Sequence, residues 1–300
     1  MILIADSGST KADWTTLNVQ CSMLNAQCSM VNGQWSMVNG QWSTEGFNPY
    51  LQTTDDIVHK LKNSSLQQLA DGQVSEIWLY GAGCTPGEKS QNVAQALNEV
   101  FGKDCLVHVN SDMLGAARAL CQREPGIACI LGTGSNSCLY DGSKISANTP
   151  PLGFILGDEG SGAHLGKLLV SNVLKGQFSA EIKEAFFNEL GLTQAEIVDR
   201  VYRQPMPNRW LASLSPFVHR HLDKESIRAM TKEAFTAFFI RNVMNYGQKE
   251  LPIGLVGSVA YHYQEVIKEA AADLGLTVGT VMKSPMEGLI RYHSQEYGNN

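Results

Sequence analysis

Twice along this chain, short apolar segments that read as hairpin strands give way to alternating strands and helices, and this doubled pattern constrains the fold more than any other feature. In the first round, residues 2–5, 12–17 and 42–47 read as strands. A helix over 55–69, a strand over 76–80, a helix over 87–101, a strand over 106–110 and a helix over 112–122 follow. Val93, Ala96, Leu97 and Val100 share one face of the second helix. The second round opens with strands over 127–131 and 137–140, a turn at Asp141-Gly142 and a strand near Ile145. Helices then fill most of 160–250, punctuated by Pro205 and Pro207, before a strand at 253–256, a helix at 259–274, a strand at 278–282 and a helix at 286–292. Alternation calls for α/β layers, and its repetition for a duplicated architecture. Ligands of open α/β sheets bind beyond the carboxyl ends of the strands.

Residues 18–43 interrupt the first round with a period-seven repeat of the type Asn-x-Gln-x-Ser-Met-x. A coiled coil would place charges beside its apolar seam. The repeat has none, and its Asn, Gly, Gln and Ser residues are poor helix formers. Asn-Gly is a hairpin turn signal, so the repeat reads as an insertion that lengthens a β-hairpin. Deletion of residues 19–39 is therefore expected to leave the fold intact.

Composition excludes several classes. The net charge is −6 and no Lys/Arg run is present, which argues against nucleic acid as a partner. No apolar run reaches the length of a membrane span, and the amino terminus enters a strand rather than a signal sequence, so the cytoplasm is the expected compartment. Seven cysteines without a CxxC pair suggest reduced thiols, with Cys129 and Cys138 as small buried hydrophobes. Gly81-Ala-Gly-Cys-Thr-Pro-Gly87 misses the dinucleotide fingerprint by one residue in its last spacing. Ser161-Gly-Ala-His-Leu-Gly-Lys167 lacks the first glycine and the closing hydroxyl of a phosphate loop, and neither HExxH nor GxSxG occurs.

Four polar turns, three of them containing glycine, follow apolar runs at corresponding places in the two rounds: Asp6-Ser-Gly-Ser-Thr-Lys11, Asn110-Ser-Asp112, Leu131-Gly-Thr-Gly-Ser-Asn136 and Gly257-Ser258. Small residues let backbone amides approach phosphate oxygens, and hydroxyls add donors. An Asp at a strand end can hold hydrated Mg²⁺. Some of these residues also have plain structural readings: Asp112 as a helix N-cap, Asn48 before Pro49 as a turn residue, Lys11 as an exposed hairpin lysine, and Asp158 with Glu159 as helix-starting acids.

The Asp6-x-Gly-x-Thr10 and Gly132-Thr-Gly134 turns resemble the two phosphate-binding loops of the actin-like ATPase superfamily, which includes sugar kinases. Gly132-Thr-Gly-Ser-Asn136, Gly157-Asp-Glu-Gly-Ser161 and Gly46-Phe-Asn-Pro49 resemble the N-acetylglucosamine kinase branch of the BadF/BadG-type ATPase family. The resemblance spans nearly the whole chain outside the repeat. It implies an α/β fold of two actin-like, ribonuclease H-like domains with an interdomain cleft, the first over 1–112 with a returning helix at 286–300 and the second over 113–285. It also implies ATP and Mg²⁺ as cofactors, a homodimer, and phosphorylation of an amino sugar, foremost N-acetylglucosamine at its 6-hydroxyl.

By position, the resemblance puts the general base on Asp112 and the sugar contacts on Asn48, Ser135, Asn136 and Asp158. It puts the nucleotide contacts on Gly8, Ser9, Thr10, Lys11, Gly132, Thr133, Gly134, Gly257 and Ser258, and Mg²⁺ water ligands on Asp6. Two other roles are weighed. An ATP-driven activator of a radical dehydratase needs a cluster cysteine near Gly157–Gly162, and none lies between 139 and 300. A non-catalytic sugar sensor would be favoured by loss of the base, but Asp112 is present.

Overall fold

The computed structural model describes residues 1–8, 11–17, 30–31, 34–35, 38–69 and 73–297. The chain divides into two compact units, Met1–Arg123 with Pro285–Asn300, and Glu124–Ser284.

The first unit contains β1 (Ile2–Ser7), β2 (Lys11–Leu17), β3 (Met30–Val31), β4 (Gln34–Trp35), β5 (Val38–Glu45), α1 (Thr54–Lys62), β6 (Glu76–Gly81), α2 (Glu88–Phe101), β7 (Leu106–Ser111) and α3 (Asp112–Cys121). Its sheet has the order β5-β2-β1-β6-β7. β2 is antiparallel to its neighbours β1 and β5, and β6 and β7 run parallel to β1. The pleat sends Leu3 and Ala5 into a core with Trp14, Ile57, Ile77, Leu97 and Phe101, and sends Ile2 and Ile4 to the opposite face with Leu17, Tyr80 and Ala119. Within the repeat, β3 and β4 pair antiparallel with each other. Residues 18–29, 32–33 and 36–37 lie outside the described residues, and with them most of the expected lengthened hairpin.

The expected helix over 55–69 is two pieces. A capping box of Thr53 and Asp56 starts α1. At its end the Ser64 hydroxyl donates to the Leu61 carbonyl at 2.7 Å, and the chain resumes as a 3₁₀ turn over Ser65–Leu69.

The second unit repeats the topology with β8 (Pro125–Leu131), β9 (Ser135–Asp141), β10 (Ile145–Thr149), β11 (Ile253–Val256) and β12 (Val278–Met282), in the order β10-β9-β8-β11-β12. Between β10 and β11 lie α4 (Gly153–Leu156), α5 (Gly162–Leu174), α6 (Ala180–Leu190), α7 (Gln194–Tyr202), α8 (Pro207–Ala212), α9 (Ser215–Arg220) and α10 (Glu225–Phe238). A π-helical turn, Phe239–Val243, and a 3₁₀ turn, Met244–Tyr246, continue α10. The expected helix over 259–274 is α11 (Ser258–His262) and α12 (Gln264–Asp273). They part at buried Tyr263, whose ring packs edge-on to Phe235, so tertiary packing overrides helical periodicity there. Ile127, Leu131, Leu165, Leu169, Phe235 and Leu255 share the core, and Cys129 and Cys138 are buried.

The last helix, α13 (Met286–Tyr297), belongs to the first unit, where Met286 and Leu289 cover Ile2, Ile4 and Leu17. Two five-stranded mixed sheets of identical order, each flanked by helices, constitute the duplicated α/β fold. No helix among the described residues is long and apolar enough to cross a membrane.

Candidate functional site

In the first unit the polar groups gather at the carboxyl ends of β1 and β7. Asp6 pairs across the sheet with Asp13 on β2 and with Tyr80 on β6. By the pleat it therefore shares the face of Ile2 and Ile4, the face on which α3 packs. Asp112 is the first residue of α3 and brings a second carboxylate to the same end. Burial, then the charges of Asp112 and Asp13, push Asp6 up to about 7, while Lys11 pulls it down. Burial likewise raises Asp112, against a bond from the Met113 amide at 2.8 Å.

The helix cap expected of Asp112 is supplied by its neighbour. The Ser111 side chain accepts from the Leu114 amide at 3.2 Å, which leaves Asp112 one place inside the helix. Lys11 is exposed and pairs with Asp13 Oδ1 at 2.8 Å, and the Ser43 hydroxyl donates to the same oxygen. Gly8 closes the hairpin by donating its amide to the Lys11 carbonyl at 2.9 Å. Ser9 and Thr10 lie outside the described residues.

Asn48 acts in a turn, its side-chain oxygen accepting from the Tyr50 amide at 2.9 Å. It also meets the Gly81–Gly87 loop, whose glycine spacing misses the dinucleotide fingerprint. A Cβ on Gly83 would lie 2.7 Å from the Asn48 side-chain oxygen, and the Tyr50 and Thr85 hydroxyls are 3.3 Å apart. Cys84 of the same loop is buried, and burial together with the charge of Asp112 pushes its thiol up to about 12. The Gly81–Gly87 loop thus links Asn48 to Asp112. Its glycine spacing was visible in the sequence, but its neighbours were not.

The donor set suits a hydrated divalent cation. Asp112 and Asp13 both repel Asp6, and Mg²⁺ is commonly held by one or two carboxylates while keeping several waters. Among the described residues no closed cage of three or more His, Cys, Asp or Glu ligands occurs.

In the second unit, Gly132, Thr133 and Gly134 form the tight turn between β8 and β9, closed by the Gly132 amide on the Gly134 carbonyl at 3.0 Å. The Ser161–Lys167 stretch is no phosphate loop. Ser161 caps α5, and the Gly162 and Ala163 amides are taken by the carbonyls of Gly132 and Thr133 at 2.8 and 3.1 Å. Ser135 and Asp158 are brought together, since Asp158 Oδ1 accepts from the Ser135 amide at 3.1 Å. Burial, then the charge of Glu159, raises Asp158, against that amide and Lys167. Asn136 directs its side-chain oxygen to the Ser137 amide and the Asn148 carboxamide.

Gly257 adopts φ +123°, and a Cβ there would overlap the Leu131 carbonyl, so the turn after β11 packs on the turn after β8 only as glycine. Ser258 is exposed beside a cavity of about 310 Å³ that Pro216, His219, Val259, His262 and Tyr263 also line.

The chain matches no protein-family model and no curated protein. It is similar to the crystal structure of a candidate N-acetylglucosamine kinase from Porphyromonas gingivalis, at 46% identity and a TM-score of 0.88, covering 99% of this chain and 100% of the other. A candidate N-acetylglucosamine kinase from Chromobacterium violaceum shares the fold at 16% identity and a TM-score of 0.70, over 97% and 98% of the two chains. So does a ROK-family glucokinase from Streptomyces griseus, crystallised with glucose and AMPPNP, at 13% identity and a TM-score of 0.56, over 98% of each chain. This chain belongs to the N-acetylglucosamine kinase-like branch of the sugar kinases, within the actin-like ATPase superfamily.

Proposed function

We propose that the protein transfers the γ-phosphoryl group of ATP to an amino sugar, N-acetylglucosamine at its 6-hydroxyl. The observation that carries this reading is the recessed pair Asp6 and Asp112, one at the end of β1 and the other at the start of α3. Phosphoryl transfer demands positioning and charge neutralisation more than covalent chemistry.

Asp112 accepts the proton of the 6-hydroxyl as that oxygen attacks the γ-phosphorus. The bond to the β-phosphate oxygen breaks, ADP leaves with the electron pair, and Asp112 carries the proton away. A base whose proton affinity is raised by burial suits this role better than an exposed carboxylate. Asp6 would hold Mg²⁺ through water, and the ion would neutralise phosphate charge. Asn48, Ser135, Asn136 and Asp158 hydrogen-bond the sugar, carboxamides and carboxylate each reaching two groups. Gly8, Ser9, Thr10, Lys11 and the 132–134 turn meet the phosphates, with Thr133 exposed at its tip. Gly257 and Ser258 meet the adenosine, whose base enters the cavity lined by His219, His262 and Tyr263. The assignment includes a homodimer in the cytoplasm, and the expected boundary after residue 112 moves to Arg123, because α3 packs on the first sheet.

The test is ADP release with Mg-ATP across a panel of hexoses and amino sugars. Strong stimulation by N-acetylglucosamine, lost by roughly 10²–10⁴-fold in Asp112→Asn, is expected for removal of a general base. No stimulation by any sugar would overturn the kinase reading.

A further inference from the structure

Asp158 sits at φ +57°, a left-handed conformation that non-glycine residues adopt only when their surroundings enforce it. Several bonds close the loop around it. The Asp158 amide donates to Pro151 at 3.3 Å, Ser161 donates to the Asp158 carbonyl at 3.1 Å, and the Ser135 amide occupies Oδ1.

The next residue, Glu159, is gripped from a distant part of the chain. Arg241 Nε meets Glu159 Oε1 at 2.8 Å, and the Asn242 carboxamide donates to Oε2 at 3.4 Å. Arg241 and Asn242 are consecutive, and both lie in the π-helical turn Phe239–Val243. Such turns are rare and often mark functional positions, because the widened turn redirects side chains that a regular helix would fan apart. Asn242 is itself anchored. It is 5% exposed, and its carbonyl accepts from Thr149 Oγ1 at 2.9 Å and Ser137 Oγ at 3.4 Å. Glu159 is 12% exposed, whereas Arg241 is 62% exposed, so the arginine reaches in from the surface to a recessed acid.

We propose that Arg241 is a positioning residue of the sugar subsite: by pairing with Glu159 it fixes the Gly157–Ser161 loop so that Asp158 turns its second carboxylate oxygen toward a substrate hydroxyl. The inference rests on the reading of Asp158 as a sugar contact. Without Arg241, Glu159 is left as an uncompensated charge next to Asp158, and both the loop and its acid shift.

The experiment measures initial rates at varied sugar and varied ATP for wild type, Arg241→Met, Arg241→Lys and Arg241→Met with Glu159→Gln, with a melting curve for each. Arg241→Met is expected to raise the sugar KM roughly tenfold, the size of one lost charge-assisted hydrogen bond, with a far smaller change in the ATP KM. Arg241→Lys should recover part of the loss. The double variant should bind sugar better than Arg241→Met alone, because the stranded charge is gone. An unchanged sugar KM in Arg241→Met beside an active wild type overturns the positioning role and leaves the kinase reading standing. Equal rises in both KM values, with a lowered Tm and no rescue by the double variant, also overturn it, since they describe general loosening. A wild type that no sugar stimulates removes the kinase reading and this inference together.

Discussion

Replacing Asp6 with asparagine should make the protein more stable while disabling it, and the gain should depend on pH in a specified direction. Asp6 is raised from 3.8 to about 7 in the folded chain, by burial and by the charges of Asp112 and Asp13. A carboxyl that binds its proton more tightly when folded favours the fold at low pH, and that advantage is lost as pH climbs from about 4 to about 7. Above that window the ionised Asp6 is a penalty. The full displacement corresponds to about 4 kcal/mol at about 1.4 kcal/mol per tenfold. Asp6 is not fully buried, and screening in a partly wet site brings the figure to about 2 kcal/mol. Asparagine resembles the protonated acid in shape and carries no charge. Asp6→Asn is therefore expected to melt about 4 °C above wild type at pH 8 and level with it near pH 4. Melting curves from pH 4 to 8 would show the two diverging as pH rises. A gain that is flat across this range, or largest at low pH, would refute the account of repelling carboxylates. Adding Mg²⁺ at pH 8 should raise the Tm of wild type more than that of the variant, since the ion relieves the same repulsion.

Two further outcomes follow from close backbone approaches. Gly257→Ala should cost about 2–3 kcal/mol through its strained φ and its overlap with the Leu131 carbonyl, and should weaken ATP binding more than sugar binding; an unchanged denaturation midpoint would contradict it. Gly288→Ala drives a Cβ into the Ala119 carbonyl beneath α13 and should cost about 1–3 kcal/mol, read as faster amide exchange in 286–297; protection equal to wild type would contradict it.

Much of this was legible in the sequence where local chemistry decides. The apolar runs located the strand ends at Ser7, Leu131 and Val256, because a strand end is a local event, whereas Asn110 and Ser111 belong to β7 and Asp112 to α3 with no turn between them. The parts that escaped depend on distant partners. The break at Tyr263 follows from an aromatic contact with Phe235, and the break after Lys62 from a serine competing for a carbonyl. Ser111 rather than Asp112 caps α3 because β7 runs one residue further than its apolar stretch. The 81–87 loop lacked a recognisable motif, and its role rests on neighbours, Asn48 and Asp112, that only the sheet order brings near. Nothing in the local sequence of Arg241 points to Glu159, since a π-helical turn leaves no signature in hydrophobic periodicity.

The placement of α13 has a consequence for biosynthesis. The second unit is one uninterrupted stretch, whereas the first is completed by a helix that follows the second in the chain. A ribosome therefore releases residues 1–123 with only α3 over the face of Ile2, Ile4 and Leu17, and can finish the second unit before α13 completes that cover. The half of the molecule made first is thus the half that matures last, and the nascent chain must keep a partly covered sheet face from aggregating throughout the synthesis of its partner.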